Sequence, residues 1–193
     1  ISFIESSKGA LYVMNADGSN ARQVLSKGRN EAFYWPAWSP DGQTLAYWRD
    51  SSAGGKGIWA VNIDGTGAHS ILATATIDRI DWAAEPAPGG QRKICFTDWA
   101  PGSQVRDIYL VNQDGSGLTN LTNTPAFYEA NAFWIGSRVA YTRGNQLVAI
   151  NLALDGGGNV YAESEEVIYD QLQPGANPAA SFRGANTHSW IVF

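Results

Sequence analysis

A short strand pattern, a small residue followed by an aromatic or bulky one, returns five times along this chain, and no other feature limits its possible folds as tightly. It reads Ile1-Ser2-Phe3, Leu45-Ala46-Tyr47, Ile94-Cys95-Phe96, Val139-Ala140-Tyr141 and Ile191-Val192-Phe193, at intervals of 44, 49, 45 and 52 residues. A second marker is an apolar run closing on asparagine: Leu11 to Asn15, Ile58 to Asn62, Ile108 to Asn112 and Leu147 to Asn151. Three of these are followed by Asp17-Gly18, Asp64-Gly65 and Asp114-Gly115. A third is an aromatic at Trp38, Trp82, Trp134 and Phe182. All three markers keep one phase, so each period is one structural unit.

Within a period the extended segments number four: an inner strand a around Trp38, b around Tyr47, c around Trp59, and d from Ser70 to Leu72. Extended runs separated by Asp-Gly read as hairpins with type I′ turns, whose two positive φ angles Asp, Asn and Gly tolerate best. A meander this small has two apolar faces and does not fold alone; packing such sheets radially buries both. The expected fold is therefore all-β, a β-propeller of four-stranded antiparallel blades, about four in this chain. The inner aromatics wedge between neighbouring blades. Repeats are expected at approximately 1–44, 45–93, 94–138 and 139–190 of a single propeller region 1–193, with a further strand beginning at 191–193. Four periods fit a closed four-bladed ring, whereas five copies of strand b favour part of a larger propeller.

Composition agrees: 21 Gly, 8 Trp, 8 Tyr and 7 Phe, with only 16% charged residues, suit short strands and tight turns. The net charge of −5, without a long run of either sign, argues against nucleic acid and anionic lipid surfaces. No stretch approaches the roughly 18 apolar residues of a membrane helix, so membrane insertion is not expected. The chain begins at Ile1 without a leader pattern, which suggests a processed or excised segment. Cys95 is the sole cysteine, so no intrachain disulfide forms, and its apolar strand context reads as a buried small hydrophobe.

The two histidines, His69 and His188, fall in different blades, and no hydrolase, nucleotide or Cys-x-x-Cys signature occurs. No catalytic residue, metal or cofactor is therefore expected. The Asn-x-Asp-Gly-Ser/Thr turns superficially suggest calcium, but a five-residue hairpin offers fewer than the six to eight oxygens that calcium takes. They read as structural turns.

Trp38-Ser39-Pro40-Asp41-Gly42, then Leu45-Ala46-Tyr47, then Ile58-Trp59-Ala60-Val61-Asn62-Ile63-Asp64-Gly65, resembles the repeat of the TolB-like branch of WD-repeat-like propellers. Other copies depart from it: Trp82 is followed by Ala83-Ala84-Glu85, Trp134 by Ile135-Gly136-Ser137, and Asn151 to Asn159 reads as a glycine-rich loop. The resemblance implies a bacterial, extracytoplasmic, non-catalytic binding or scaffold module that docks a protein or glycan partner. It also leaves open a propeller gating a serine peptidase encoded elsewhere in the gene, or a structural segment of a larger assembly.

In a meander both tight turns of a blade lie on one face of the disc. The opposite face collects the b-to-c loops (49–57, 98–107) and the d-to-a loops (26–35, 73–79, 122–131, 171–177). Loops of varied length on a rigid scaffold concentrate binding residues. The candidate binding residues there are Glu31, Tyr34, Trp35, Asp78, Arg79, Asp98, Trp99, Tyr128 and Glu129. Aromatics beside carboxylates suit a protein anchor, a peptide or a sugar, and equally suit packing between blades.

Overall fold

A computed structural model describes residues 1–5, 9–74, 77–99, 102, 104–173, 179–181 and 190–192. The described residues form no helix. They form three complete four-stranded antiparallel meanders: β4 (Glu31–Trp38) to β7 (His69–Ala73), β8 (Ile77–Trp82) to β11 (Thr119–Asn120), and β12 (Glu129–Ile135) to β15 (Val160–Tyr169). Before them β1 (Ser2–Glu5), β2 (Ala10–Val13) and β3 (Arg22–Leu25) make a three-stranded sheet, and after them β16 (Ala179–Ser181) pairs with β17 (Trp190–Val192). These are blades of a β-propeller. The chain order of the first sheet corresponds to strands b, c and d, and that of the final pair to a and b.

The recurrent small-plus-aromatic strand owes its pattern to blade packing. Leu45 and Tyr47 point into the core shared with the first blade, whereas Ala46 points into the core shared with the third. Ile94 and Phe96 likewise face backward and Cys95 forward; Val139 and Tyr141 face backward and Ala140 forward. Large side chains on one face and a small one on the other are what alternation along a strand delivers. Because a blade covers each face, these strands read as nearly continuous apolar runs.

The three described inner aromatics occupy one position. Trp38 lies opposite Leu45, Trp82 opposite Ile94 and Trp134 opposite Val139, each pairing with the first residue of a b-strand marker. Each packs between two blades, Trp134 fully buried and Trp38 only partly. Phe182, Phe193 and His188 lie outside the described residues. Cys95 is fully buried, and burial pushes its thiol well above the ordinary range.

Two local expectations need correction. In Asn15 to Ser19 only Gly18 takes a positive φ (84°), and Asp17 does not. Gly18 N donates to Asn15 O and Asn15 N to Ser19 O, so the hairpin is a type I turn closed by a left-handed glycine rather than a type I′ turn. The Asp17 carboxylate accepts from both the amide and the hydroxyl of Ser19, which holds Asp17 in the right-handed region. Asn62 to Thr66 and Asn112 to Ser116 repeat these bonds. The glycine-rich 151–159 segment is also not a loop. β14 (Gln146–Leu154) runs on to Leu154, and Asp155 to Asn159 closes with the same two backbone bonds, Asp155 standing where the other copies have asparagine.

Candidate functional site

The candidates expected in loops lie within strands, Tyr128 excepted: Glu31, Tyr34 and Trp35 in β4, Asp78 and Arg79 in β8, Asp98 and Trp99 in β9 (Lys93–Trp99), and Glu129 in β12, because the strands run further toward the loop face than the turn signals indicate. The inner strands of the three complete blades each carry a β-bulge. The register slips by one residue between Tyr34 and Ala37, between Ile77 and Ile80, and between Ala130 and Phe133. A bulge leaves a residue unpaired and re-aims its side chain. The bulged segments Trp35-Pro36 and Asp78-Arg79, together with Asn131, line a cavity of about 660 Å³ along the inner strands of three successive blades. Trp35 and Asn131 both adopt left-handed backbone, with φ of 48° and 57°. For asparagine this is tolerated; for a bulky aromatic it is a strained conformation that the surroundings must enforce.

Trp35 remains 36% exposed and forms a three-ring cluster with exposed Tyr34 and buried Trp48, all centroids within 5.7 Å. Pro36 follows it and disfavours right-handed helical geometry at Trp35. On the third blade Asp78 pairs with Arg106 at 3.0 Å. The Arg79 guanidinium lies 5.5 Å from the centroid of Phe133, which belongs to the fourth blade.

Arg106 extends the site outward. Its guanidinium sits 5.0 Å from the Trp99 ring and 5.5 Å from Tyr128, which themselves meet edge to face. Trp99 is exposed and Tyr128 is 49% exposed. A second cavity of about 260 Å³ includes Tyr128, Thr142 and Asn131, the last of which also lines the first. Trp35, Asp78 and Arg79 thus line the first cavity and Tyr128 the second, with Trp99 beside Tyr128 and Arg106 linking that pair to Asp78.

The remaining candidates are engaged in internal ties. Glu31 pairs with Arg49 on the next strand and accepts from the Gly28 amide at 2.6 Å. Asp98 accepts from the Thr74 hydroxyl and from the Trp99 amide, and burial raises its carboxyl above the ordinary range. Glu129 is fully buried, accepting from Thr124 at 2.9 Å and from Arg143 at 2.8 Å. Burial lifts its pKa against the lowering effect of those partners.

Two residues that the sequence did not single out matter here. Arg106 joins the two aromatic groups, but its strand context shows neither partner. Asp81 lines the axial cavity and ties blades together: Oδ2 accepts from the Trp134 amide at 2.8 Å and Oδ1 from its neighbour Trp82 at 3.1 Å. Burial pushes its carboxyl up to about 6, outweighing the two amides and Arg79. Its place immediately before an inner tryptophan was the one available signal. Among the described residues no three His, Cys, Asp or Glu side chains cluster as a metal site, and no helix is long and apolar enough to cross a membrane.

No protein-family model matches the chain. An uncharacterized protein of Agrobacterium fabrum is 30% identical over 118 residues, covering 58% of this chain and 38% of the relative. A solved structure assigned as TolB from Agrobacterium tumefaciens superposes with a TM-score of 0.60 at 23% identity, over 88% of this chain and 60% of that one. TolB from Acinetobacter baumannii gives a TM-score of 0.60 at 19% identity, over 98% of this chain and 48% of that one. The chain therefore spans about half the length of the TolB structures it matches and less of the curated relative. Blades, register and superposition agree that this chain has the fold of a TolB-like β-propeller.

Proposed function

We propose that this chain is a non-catalytic binding module, working outside the cytoplasm, whose loop face docks a protein or glycan partner across the surface between Trp35 and Tyr128. The observation that carries the reading is Trp35, a half-exposed indole held at a positive φ on an inner-strand bulge. Backbone strain of this kind costs on the order of 1–3 kcal/mol and gathers at ligand clamps. The rest of the surface supplies exposed Trp99 and Tyr128 with Arg106 between them, the residue types that dominate protein–protein hot spots. These residue types favour a polypeptide partner, and a glycan is the other outcome of the test.

Binding of the purified chain to peptide and glycan arrays, repeated with Trp35→Ala and with Tyr128→Ala, tests this. Each variant is expected to lose at least tenfold in affinity for the same ligand while melting close to the parent. If both retain full binding to every ligand found, the loop-face surface is not the site.

A further inference from the structure

On the opposite face, where the tight turns lie, a cleft of about 250 Å³ separates the third and fourth blades. Its polar lining comes from Gln91, Lys93, Asn112, Ser116, Thr119 and Asn159, and Lys93 is its only charged residue. Lys93 is 5% exposed. Its ammonium donates to Asn112 Oδ1 at 2.5 Å, and among the described residues it has no ion pair. Burying a cation against neutral groups alone is unfavourable, so such a charge calls for a counterion.

Neither carboxylate of the two framing turns supplies it. Asp114 accepts from the amide and hydroxyl of Ser116, and Asp155 from Gly157 and Asn159. Asp114 acts on Lys93 only at a distance, partly offsetting the lowering that burial imposes on the ammonium. Nor does the fold require a lysine at this place. Thr44 stands opposite Asn62 as Lys93 stands opposite Asn112. In the fourth blade Arg138, also directly before the b-strand marker, has its own partner in Glu166 at 2.8 Å.

We infer that this inter-blade cleft binds a small oxyanion, a carboxylate or phosphate group, with Lys93 as the charge and the side-chain amide of Gln91 as a further hydrogen-bond donor. The site lies at the other end of the strands from the loop-face surface and does not depend on it.

Amide NMR titration with inorganic phosphate and with acetate, in separate arms at constant ionic strength set by chloride, tests the assignment. Saturable shifts confined to Ser116, Gly117 and Asn159 are expected, and the stronger arm identifies the group. Lys93→Met should weaken the effect at least tenfold, and Lys93→Arg should retain most of it. Shifts that chloride reproduces, that never saturate, or that persist in Lys93→Met overturn the proposal. The wild-type titration decides the matter even where the methionine variant fails to fold.

Discussion

Replacing Asp81 by asparagine should change how the stability of the propeller depends on pH. The folded carboxyl titrates at about 6 against an ordinary value of 3.8, with burial as the dominant cause. Below the lower value both folded and unfolded chains hold the proton, and Asp81 carries no penalty. As pH rises from there to about 6, the unfolded chain releases its proton first, so stability falls. Above about 7 the whole penalty is present. A gap of about 2 pH units corresponds to roughly 3 kcal/mol. Asparagine removes that titration and keeps one oxygen for the Trp134 amide, while the Trp82 amide loses its acceptor at roughly 1 kcal/mol. Denaturant unfolding of both proteins between pH 4 and 8 gives the difference in stability at each pH, and the other titrating groups cancel. Wild type should lose about 2–3 kcal/mol relative to Asp81→Asn across that range, with the variant more stable at pH 8. A difference that stays flat, or moves in favour of wild type as pH rises, would refute a buried carboxyl between the inner strands.

Trp134→Ala should cost about 3–5 kcal/mol, because the indole is fully buried between two blades. Trp38→Ala should cost roughly half as much, since its ring is only partly covered, and thermal melting of the pair checks the order. Gly18→Ala and Gly115→Ala change the same turn position at nearly equal φ, 84° and 82°. A Cβ on Gly18 meets nothing within 4 Å, whereas one on Gly115 would come within 2.3 Å of the Ile71 carbonyl oxygen on the preceding blade. Gly18→Ala should therefore cost only the backbone term of about 1–2 kcal/mol, and Gly115→Ala clearly more; equal losses would mean that the turns do not abut neighbouring blades.

Much of the fold was legible because it rests on short-range patterns. The triplets at Leu45, Ile94 and Val139 encode a strand with one large and one small face, and that asymmetry alone implies covering sheets of a fixed order. The Asp-Gly pairs mark hairpins but not their turn type, since the Ser19 bonds that hold Asp17 at negative φ are a side-chain detail. The fourth c-to-d connection reads as a longer glycine-rich loop because Asp155 plays the part of asparagine in the five-residue turn that forms. At the candidate site, Trp35, Asp78 and Arg79 are legible by residue type, although they lie on strands where the turn signals indicate loops. Nothing in their order said that they share a cavity, or that Glu31, Asp98 and Glu129 spend their carboxylates on internal partners.

Sequence by itself determined the strands, their four-membered units and the inner position of the tryptophans, because alternation and turn chemistry act between residues close along the chain. Only the tertiary structure decided which side chains meet across blades: Asp81 with Trp134, Asp78 with Arg106, Gly115 with Ile71, and Lys93 without a carboxylate. Those encounters depend on one-residue bulges and on sheet-to-sheet packing. A shift of one residue in a strand turns a side chain from one face to the other, and no local pattern in this chain records where that shift falls.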